Sequence, residues 1–472
     1  MENTHNLTKS DFLLFLEAPR HLWAAKHDLI EKTPSALDIH NMEQGYQVEA
    51  LAKEYLEKQV LRPEESLIFQ NTFTDRQFTV RTDSLIYKPV TDSYDLYEIK
   101  SGTSIKKENL YDVTYQFLIA NKQIRIDRVF LLHLNSDYVQ HASLNLAELF
   151  LAEDVTLQVL DLLEEVDQLK DIALQTALKP SPEGVQPCLN PRGCPCPAIC
   201  FPGLPEYSIF DIPRLSPKKK TELLERGIID IKDVPKTFDL NSKQRQIVDV
   251  AQSNREVINR DAIRKEFQRF TFPLYFLDYE TCLLAIPLFE GYKPQQQVVF
   301  QYSLYKMEKP GREILHTEHL AITKDEPSLS LVRQLREDID STGTVFVWNK
   351  TFEMTRNKEM AAIHPEYAVF LEELNDRIYD LGDCINFGFY LHPKFKGSWS
   401  LKNVLPVMVP ELSYEEMEIG KGDQAMTAWW VMVNGALSDE EAEKTRTALL
   451  EYCKLDTWAM VKIWEKLLEL GN

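Results

Sequence analysis

The chain has 472 residues, 44% of them hydrophobic and 27% charged, with a formal net charge of −20. That length is too great for one ordinary core and predicts two or three folded domains. The acidic balance excludes a protein that coats nucleic acid nonspecifically, because phosphates would be repelled, but not an enzyme whose carboxylates bind divalent cations that offset the local charge.

At the N-terminus no basic region precedes a long apolar stretch, and FLLFL (12–16) is too short for a signal peptide or a membrane span. A cytoplasmic protein without a membrane partner is expected. Residues 1–60 read as helical, with Ser10 as an N-cap and apolar residues at helical spacing through Trp23. MEQGYQVEALAKEYLEK (42–58) is a second amphipathic stretch. Residues 66–100 change to the period of strands. A helix is predicted at about 108–121, a strand at 127–134, and one long amphipathic helix over 146–175. Residues 212–235 predict a short helix ending at Gly227, and with 236–270 they form a helical connector. A second α/β unit opens at FPLYFLDYET (272–281). Two basic strips, PRLSPKKK (213–220) and NREVINRDAIRKEFQRF (254–270), are either local paths for nucleic acid or solvated helix faces.

CLNPRGCPCPAIC (188–200) holds four of the seven cysteines. Its proline and glycine content rules out a core helix or strand. In a reducing compartment clustered cysteines more often hold metal than form disulfides. Cys188, Cys194, Cys196 and Cys200 therefore form a candidate thiolate set, suited to an iron–sulfur cluster or Zn²⁺.

Two sets of acids carry further chemistry. In the first, Asp83 sits on or just after a strand, and Glu98 and Lys100 are two apart on the next, so both face the same way. Two carboxylates and a lysine at a sheet edge suit metal-assisted phosphodiester hydrolysis: the acids hold a hard cation such as Mg²⁺, the cation acidifies water and stabilises developing charge, and the lysine orients the water or neutralises charge. A solvated hairpin shows the same short pattern. In the second set, YFLDYET puts Asp278 and Glu280 on one face of an apolar strand, where carboxylates are costly unless they bind metal or pair with charge. TVFVWNKTFEMTRNKEMA (344–361) reads as a strand and then a helix bearing Asn349 and Glu353, and Tyr452 and Asp456 share a face of a C-terminal helix. Each is also what a helix surface displays.

The order of these residues carries a resemblance. Glu49 on a preceding helix, Asp83, Glu98-x-Lys100 and Gln116 on the following helix resemble the RecB-like nucleases of the PD-(D/E)XK superfamily. LTKSDFLLFLEAPRHLW together with Cys188, Cys194 and Cys200 resembles the iron–sulfur members of that group, related to the CRISPR adaptation exonucleases, in which a 4Fe–4S cluster takes one N-terminal and three C-terminal cysteines. Those relatives commonly read QCP where this chain has Glu17-Ala18-Pro19, so the resemblance implies either a lost cluster or one in which Cys196 replaces the missing ligand. D-x-E, then Asn349-x-x-x-Glu353, then Tyr452-x-x-x-Asp456 resembles DEDD exonucleases of the RNase H-like fold. That implies two divalent ions held by four acids, with Tyr452 aligning the water and Asp380 as an alternative acid.

Nearly the whole chain resembles a bacterial family of uncharacterised function that fuses the two domains. In that family glutamate is usual at the position of Glu353, and GSWSLK is a loop in which Ser398, Ser400 and Lys402 either contact phosphate or do not. The resemblance implies an α/β architecture of a restriction-endonuclease-like domain with its cysteine cluster (1–205), a helical connector (206–270) and an RNase H-like domain (271–472). It also implies an Mg²⁺- or Mn²⁺-dependent nuclease favouring DNA over RNA as its partner, the second domain a 3′→5′ exonuclease. The alternative is a nucleic-acid-binding or assembly protein in which one or both sites do not cut.

Overall fold

The computed structural model describes residues 6–30 and 33–472. It is a mixed α/β structure with two five-stranded mixed sheets and many helices, divided into one compact unit of residues 1–203 and 284–296 and another of 204–283 and 297–472. Residues 284–296, expected in the C-terminal domain, thus group with the first unit. The stretch 206–270 groups with the second, although it has a small core of its own around Ile209, Leu223, Ile231 and Val248. Its strand Val257–Ile258 pairs with Tyr390–Leu391. Among the described residues no helix is long and apolar enough to cross a membrane.

In the first unit the sheet order is Ser66–Phe69, Ser84–Lys88, Ser93–Lys100, Ile126–Leu134, Phe150–Asp154. Only Ser93–Lys100 and Ile126–Leu134 run parallel. Alternation along the strands feeds two cores. Leu96, Val129 and Leu131 pack with residues of the helices Lys107–Ala120 and Thr156–Ala177. Tyr97, Phe130 and Leu132 pack with Val48, Ala52 and Leu56, residues of the helix Ala36–Tyr55 and the turn that follows it. The first helix, Lys9–Glu17, is capped by Thr8 in a reciprocal box with Asp11, not by Ser10: only Thr8 has the extended backbone a cap needs. The expected helix over 146–175 is broken into a short turn, the strand Phe150–Asp154 and the helix Thr156–Ala177. Pairing of Phe150–Asp154 with Phe130–Leu134 outweighs its helical pattern.

In the second unit the order is Ile314–Leu320, Gln296–Met307, Leu274–Leu284, Thr344–Val347, Ile378–Asp380, with the last three mutually parallel. The central strand separates two cores. Tyr275, Leu277 and Tyr279 face the helix Ser328–Asp338. Leu274 and Phe276 face Met460, Ile463 and Trp464 of the long helix Asp439–Gly471. Asp278 and Glu280 continue the even-numbered face, toward that helix.

Candidate active sites and a candidate metal centre

The same alternation positions the acids of the first unit. Leu96 belongs to the core shared with the Lys107–Ala120 helix, so Glu98 and Lys100 turn to that helix as well. Glu98 is 1% exposed. Its Oε1 accepts from Lys100 Nζ at 2.6 Å and from Lys9 Nζ at 2.8 Å, and its Oε2 from Gln116 Nε2 at 2.7 Å. Gln116 also donates to Asp112 Oδ1 at 2.9 Å, and Lys100 donates to Asp112. Asp83 accepts from the backbone N–H of Ile99 at 2.8 Å. Glu49 comes from the Ala36–Tyr55 helix and accepts from Gln70 at 2.6 Å. Glu49, Asp83, Glu98 and Lys100 line one open pocket, with Lys9.

Burial, then the Glu98 charge, pushes Asp83 well above the carboxylate range. Burial would raise Glu98 too, but the ammonium groups of Lys100 and Lys9 outweigh it and hold Glu98 low. Lys9 and Asp112 were not anticipated. Asp112 precedes Gln116 by one helical turn on a shared face, a spacing that could have found it. Lys9 reaches Glu98 from 89 positions away, and nothing local signals that.

The second unit gathers a less compensated set. Asp278 and Glu280 lie on the central strand, Glu353 in the first turn of the helix Lys350–Ile363, and Tyr452 and Asp456 on the Asp439–Gly471 helix. Burial, reinforced by neighbouring acids, raises Asp278, Glu280 and Glu353 well above their ordinary range. Asp456 is pushed up to about 6 by burial, against the pull of the Tyr414 hydroxyl and of Lys402. Tyr414 donates to Asp456 Oδ1. Lys402 donates to the Gly420 carbonyl at 2.8 Å and lies 5.6 Å from the ring centres of both Tyr414 and Tyr452. Arg356, the basic group that lowers Glu353, is itself paired with Glu359 at 2.7 Å.

Asp380 accepts from the backbone N–H groups of Lys350 and Gly382, both at 3.0 Å, so it fastens a helix start to a turn. Asn349 stands at that helix's N-cap without a side-chain bond to it. Ser398 and Ser400 bond each other at 3.1 Å and Ser400 bonds Asn403 at 2.9 Å, which orders the loop before the helix Leu401–Met408. Tyr414 and Cys453 were not singled out from the sequence. Cys453 lies three residues before Asp456, the spacing of a shared face.

The structure adds a histidine to the cysteine set. His21, Cys188, Cys194 and Cys200 bring one ligand atom each within 4.8 Å of one another. Cys196 is not one of those four, though its thiol lies 3.7 Å from that of Cys200 and shares with Cys188 and Cys200 a small core around Ala18 and Trp23. His21 Nε2 is 3.4 Å from Cys194 Sγ, and its Nδ1 lies 3.5 Å from Glu17 Oε1. An acidic oxygen behind a ligating imidazole orients it toward the ion. Arg20 clamps the two chain segments together by donating to the carbonyls of Val185, Ile199 and Cys200. Three sulfurs and one nitrogen this close suit a single tetrahedral ion, whose ligand bonds run about 2.0–2.3 Å. A cubane cluster would hold its thiolates farther apart, with iron and sulfide between them.

Residues 275–400 match a family described as a domain of unknown function (DUF2779). That region holds Asp278, Glu280 and Glu353 and ends before Lys402, Tyr452 and Asp456. The chain is similar to the uncharacterized protein UU173 of Ureaplasma parvum, 32% identical over 133 residues, 25% of this chain and 19% of that protein. It is also similar to the uncharacterized MG366 homolog of Mycoplasma pneumoniae, 25% identical over 211 residues, 40% of this chain and 31% of that protein. The chain spans under a third of the length of either relative. The crystal structure of SSO0001 aligns with 38% of this chain and 87% of its own, at 12% identity and a TM-score of 0.21.

Proposed function

We propose that this chain is a divalent-cation-dependent nuclease, with a RecB-like PD-(D/E)XK site in the first unit and an RNase H-like DEDD site of 3′→5′ exonuclease type in the second, acting on DNA in preference to RNA. One observation carries the reading: Glu280 and Glu353 are buried, and Asp278 and Asp456 half-buried, in the second unit with little nearby positive charge. Buried carboxylates so poorly paired are costly in the absence of cations. In that site Asp278, Glu280, Glu353 and Asp456 would hold Mg²⁺ or Mn²⁺, which supplies Lewis acidity toward a phosphodiester. Tyr452, whose hydroxyl burial and Asp456 keep protonated, orients the attacking water. Lys402 supplies positive charge for the phosphate beside Asp456.

In the first unit Asp83, Glu98 and Glu49 would hold the cation, with Lys100 as the orienting ammonium. A second reading has a specific support there. Lys9 and Lys100 already neutralise Glu98 and Asp112, an arrangement that also suits a unit that binds nucleic acid without cutting it.

The test uses purified protein, Mg²⁺ or Mn²⁺, and end-labelled single- and double-stranded DNA and RNA. Asp83→Asn and Asp278→Asn are compared with wild type and with the double variant. Loss of a true cation ligand should lower the rate by more than about 100-fold, several kcal/mol of transition-state stabilisation. Undiminished cutting by the double variant overturns both sites. Cutting lost with Asp278→Asn and untouched by Asp83→Asn assigns the first unit to binding.

For the cysteine–histidine centre the proposal is one structural Zn²⁺ in place of the expected 4Fe–4S cluster. His21→Ala should release about one zinc per chain and lower the melting temperature of the first unit, since structural zinc contributes folding energy directly. A brown protein carrying four irons per chain would refute it.

A further inference from the structure

One nucleophilic side chain in the second unit's acid pocket has no part in the hydrolytic reading. Cys453 is fully buried on the Asp439–Gly471 helix, between Tyr452 and Asp456. Its thiol donates toward Asp278, with Sγ 3.7 Å from Oδ2 and 3.8 Å from the carbonyl oxygen. A carboxylate oxygen of Asp278, one of Glu280 and Cys453 Sγ all lie within 4.8 Å of one another. Donor atoms sharing one ion stand in that range, because bonds of about 2.0–2.3 Å place tetrahedral ligands roughly 3–4 Å apart. A second observation points the same way. Glu353 is 2% exposed, yet its Oε2 has no hydrogen-bond partner among the described residues, and the charge of Asp278 acts on it. An unpartnered buried carboxylate oxygen carries a desolvation cost that a cation relieves.

We propose that Cys453 is a cation ligand, forming with Asp278 and Glu280 a mixed thiolate–carboxylate site that takes a borderline cation of the Zn²⁺ or Co²⁺ kind in preference to Mg²⁺. Magnesium demands hard oxygen ligands and sheds water reluctantly. A thiolate shifts selection toward the later first-row metals, which bind sulfur and nitrogen well. On ligation the thiol's proton passes to solvent and the sulfur lone pair forms the bond to the ion. The proposal deepens the reading of this pocket as a cation site and rests on that reading, though not on hydrolysis.

Co²⁺ titration of the full chain tests it, followed through the near-ultraviolet sulfur-to-cobalt charge-transfer band. Wild type, Cys453→Ser and Asp278→Asn are compared. Cys188, Cys194 and Cys200 contribute a band common to all three, so the difference spectra report the pocket. Wild type should show an additional band saturating at one ion, lost in Cys453→Ser and weakened in Asp278→Asn. Because even an outer partner of a ligand is worth about 10–100-fold in affinity, Cys453→Ser should weaken that binding by at least about tenfold, with far less effect on Mg²⁺ competition. Superimposable titrations of wild type and folded Cys453→Ser overturn the proposal. Should Cys453→Ser not fold, an unchanged band in Asp278→Asn overturns it equally. A Cys453-dependent band in a protein that cuts nothing keeps the ligand and removes the nuclease; cutting without such a band does the reverse.

Discussion

Asp456→Asn is expected to stabilise the cation-free protein at pH 8 by about 3 kcal/mol and to abolish hydrolysis by the second unit. Burial sets the sign. It holds the Asp456 carboxyl at about 6 in the folded chain against 3.8 for an ordinary aspartate. Below pH 4 both states are protonated and the group contributes nothing against folding. As pH rises from 4 through 6 the unfolded chain ionises first, so folding loses stability across that window, about 1.4 kcal/mol for each pH unit between the folded and unfolded values. Asparagine removes the ionisation and keeps an oxygen to accept from Tyr414. Asp278, Glu280 and Glu353 are raised the same way, so their Asn or Gln variants should stabilise with the same sign. Melting wild type and Asp456→Asn in EDTA at pH 4 and pH 8 checks this: the two curves should nearly coincide at pH 4 and separate at pH 8, with divalent cation raising wild type only. A variant that melts below wild type at pH 8 in EDTA would show that the acid is compensated by something other than a cation.

What the sequence made legible were residues whose partners lie within one element. Period two put Glu98 beside Lys100 and Asp278 beside Glu280, and period 3.6 put Tyr452 over Asp456. These rules depend only on local backbone geometry. Contacts made by chain return were not legible. Lys9 meets Glu98, Tyr414 meets Asp456 and His21 meets Cys194 across separations of 89, 42 and 173 residues. In the loop 188–200 the resemblance already set Cys188, Cys194 and Cys200 apart from Cys196, but nothing in the sequence pointed to His21 as their fourth partner. The helix Pro19–Lys26 brings that imidazole to Cys188, Cys194 and Cys200. The strand Phe150–Asp154 was hidden for the same reason: its partner, not its own pattern, decides its state.

Lys100→Ala is expected to act in the opposite sense, destabilising the first unit by about 3–5 kcal/mol, the cost of leaving a buried charge without its partner. The side chains of Glu98 and Asp112 are 1% and 2% exposed, and Lys100 bridges them. Lys9 remains at 2.8 Å from Glu98 but at 3.8 Å from Asp112, so Asp112 bears most of the loss. The pH sign differs from that of the second unit. Glu98 is held below the ordinary glutamate range, so its contribution is present above about pH 4.5 and is lost as pH falls through its folded value. Amide hydrogen exchange over Ser93–Lys100 and Lys107–Ala120 should show faster opening in Lys100→Ala and recovery in Lys100→Met/Asp112→Asn, where neither member of the broken pair is charged. If the single variant exchanges like wild type, the ion pairs are too well solvated to matter. A loss of cutting in Lys100→Ala would therefore mix chemistry with unfolding. Asp83→Asn separates them: Asp83 is already pushed toward its neutral form, and asparagine keeps an oxygen for the Ile99 N–H while giving up a cation ligand.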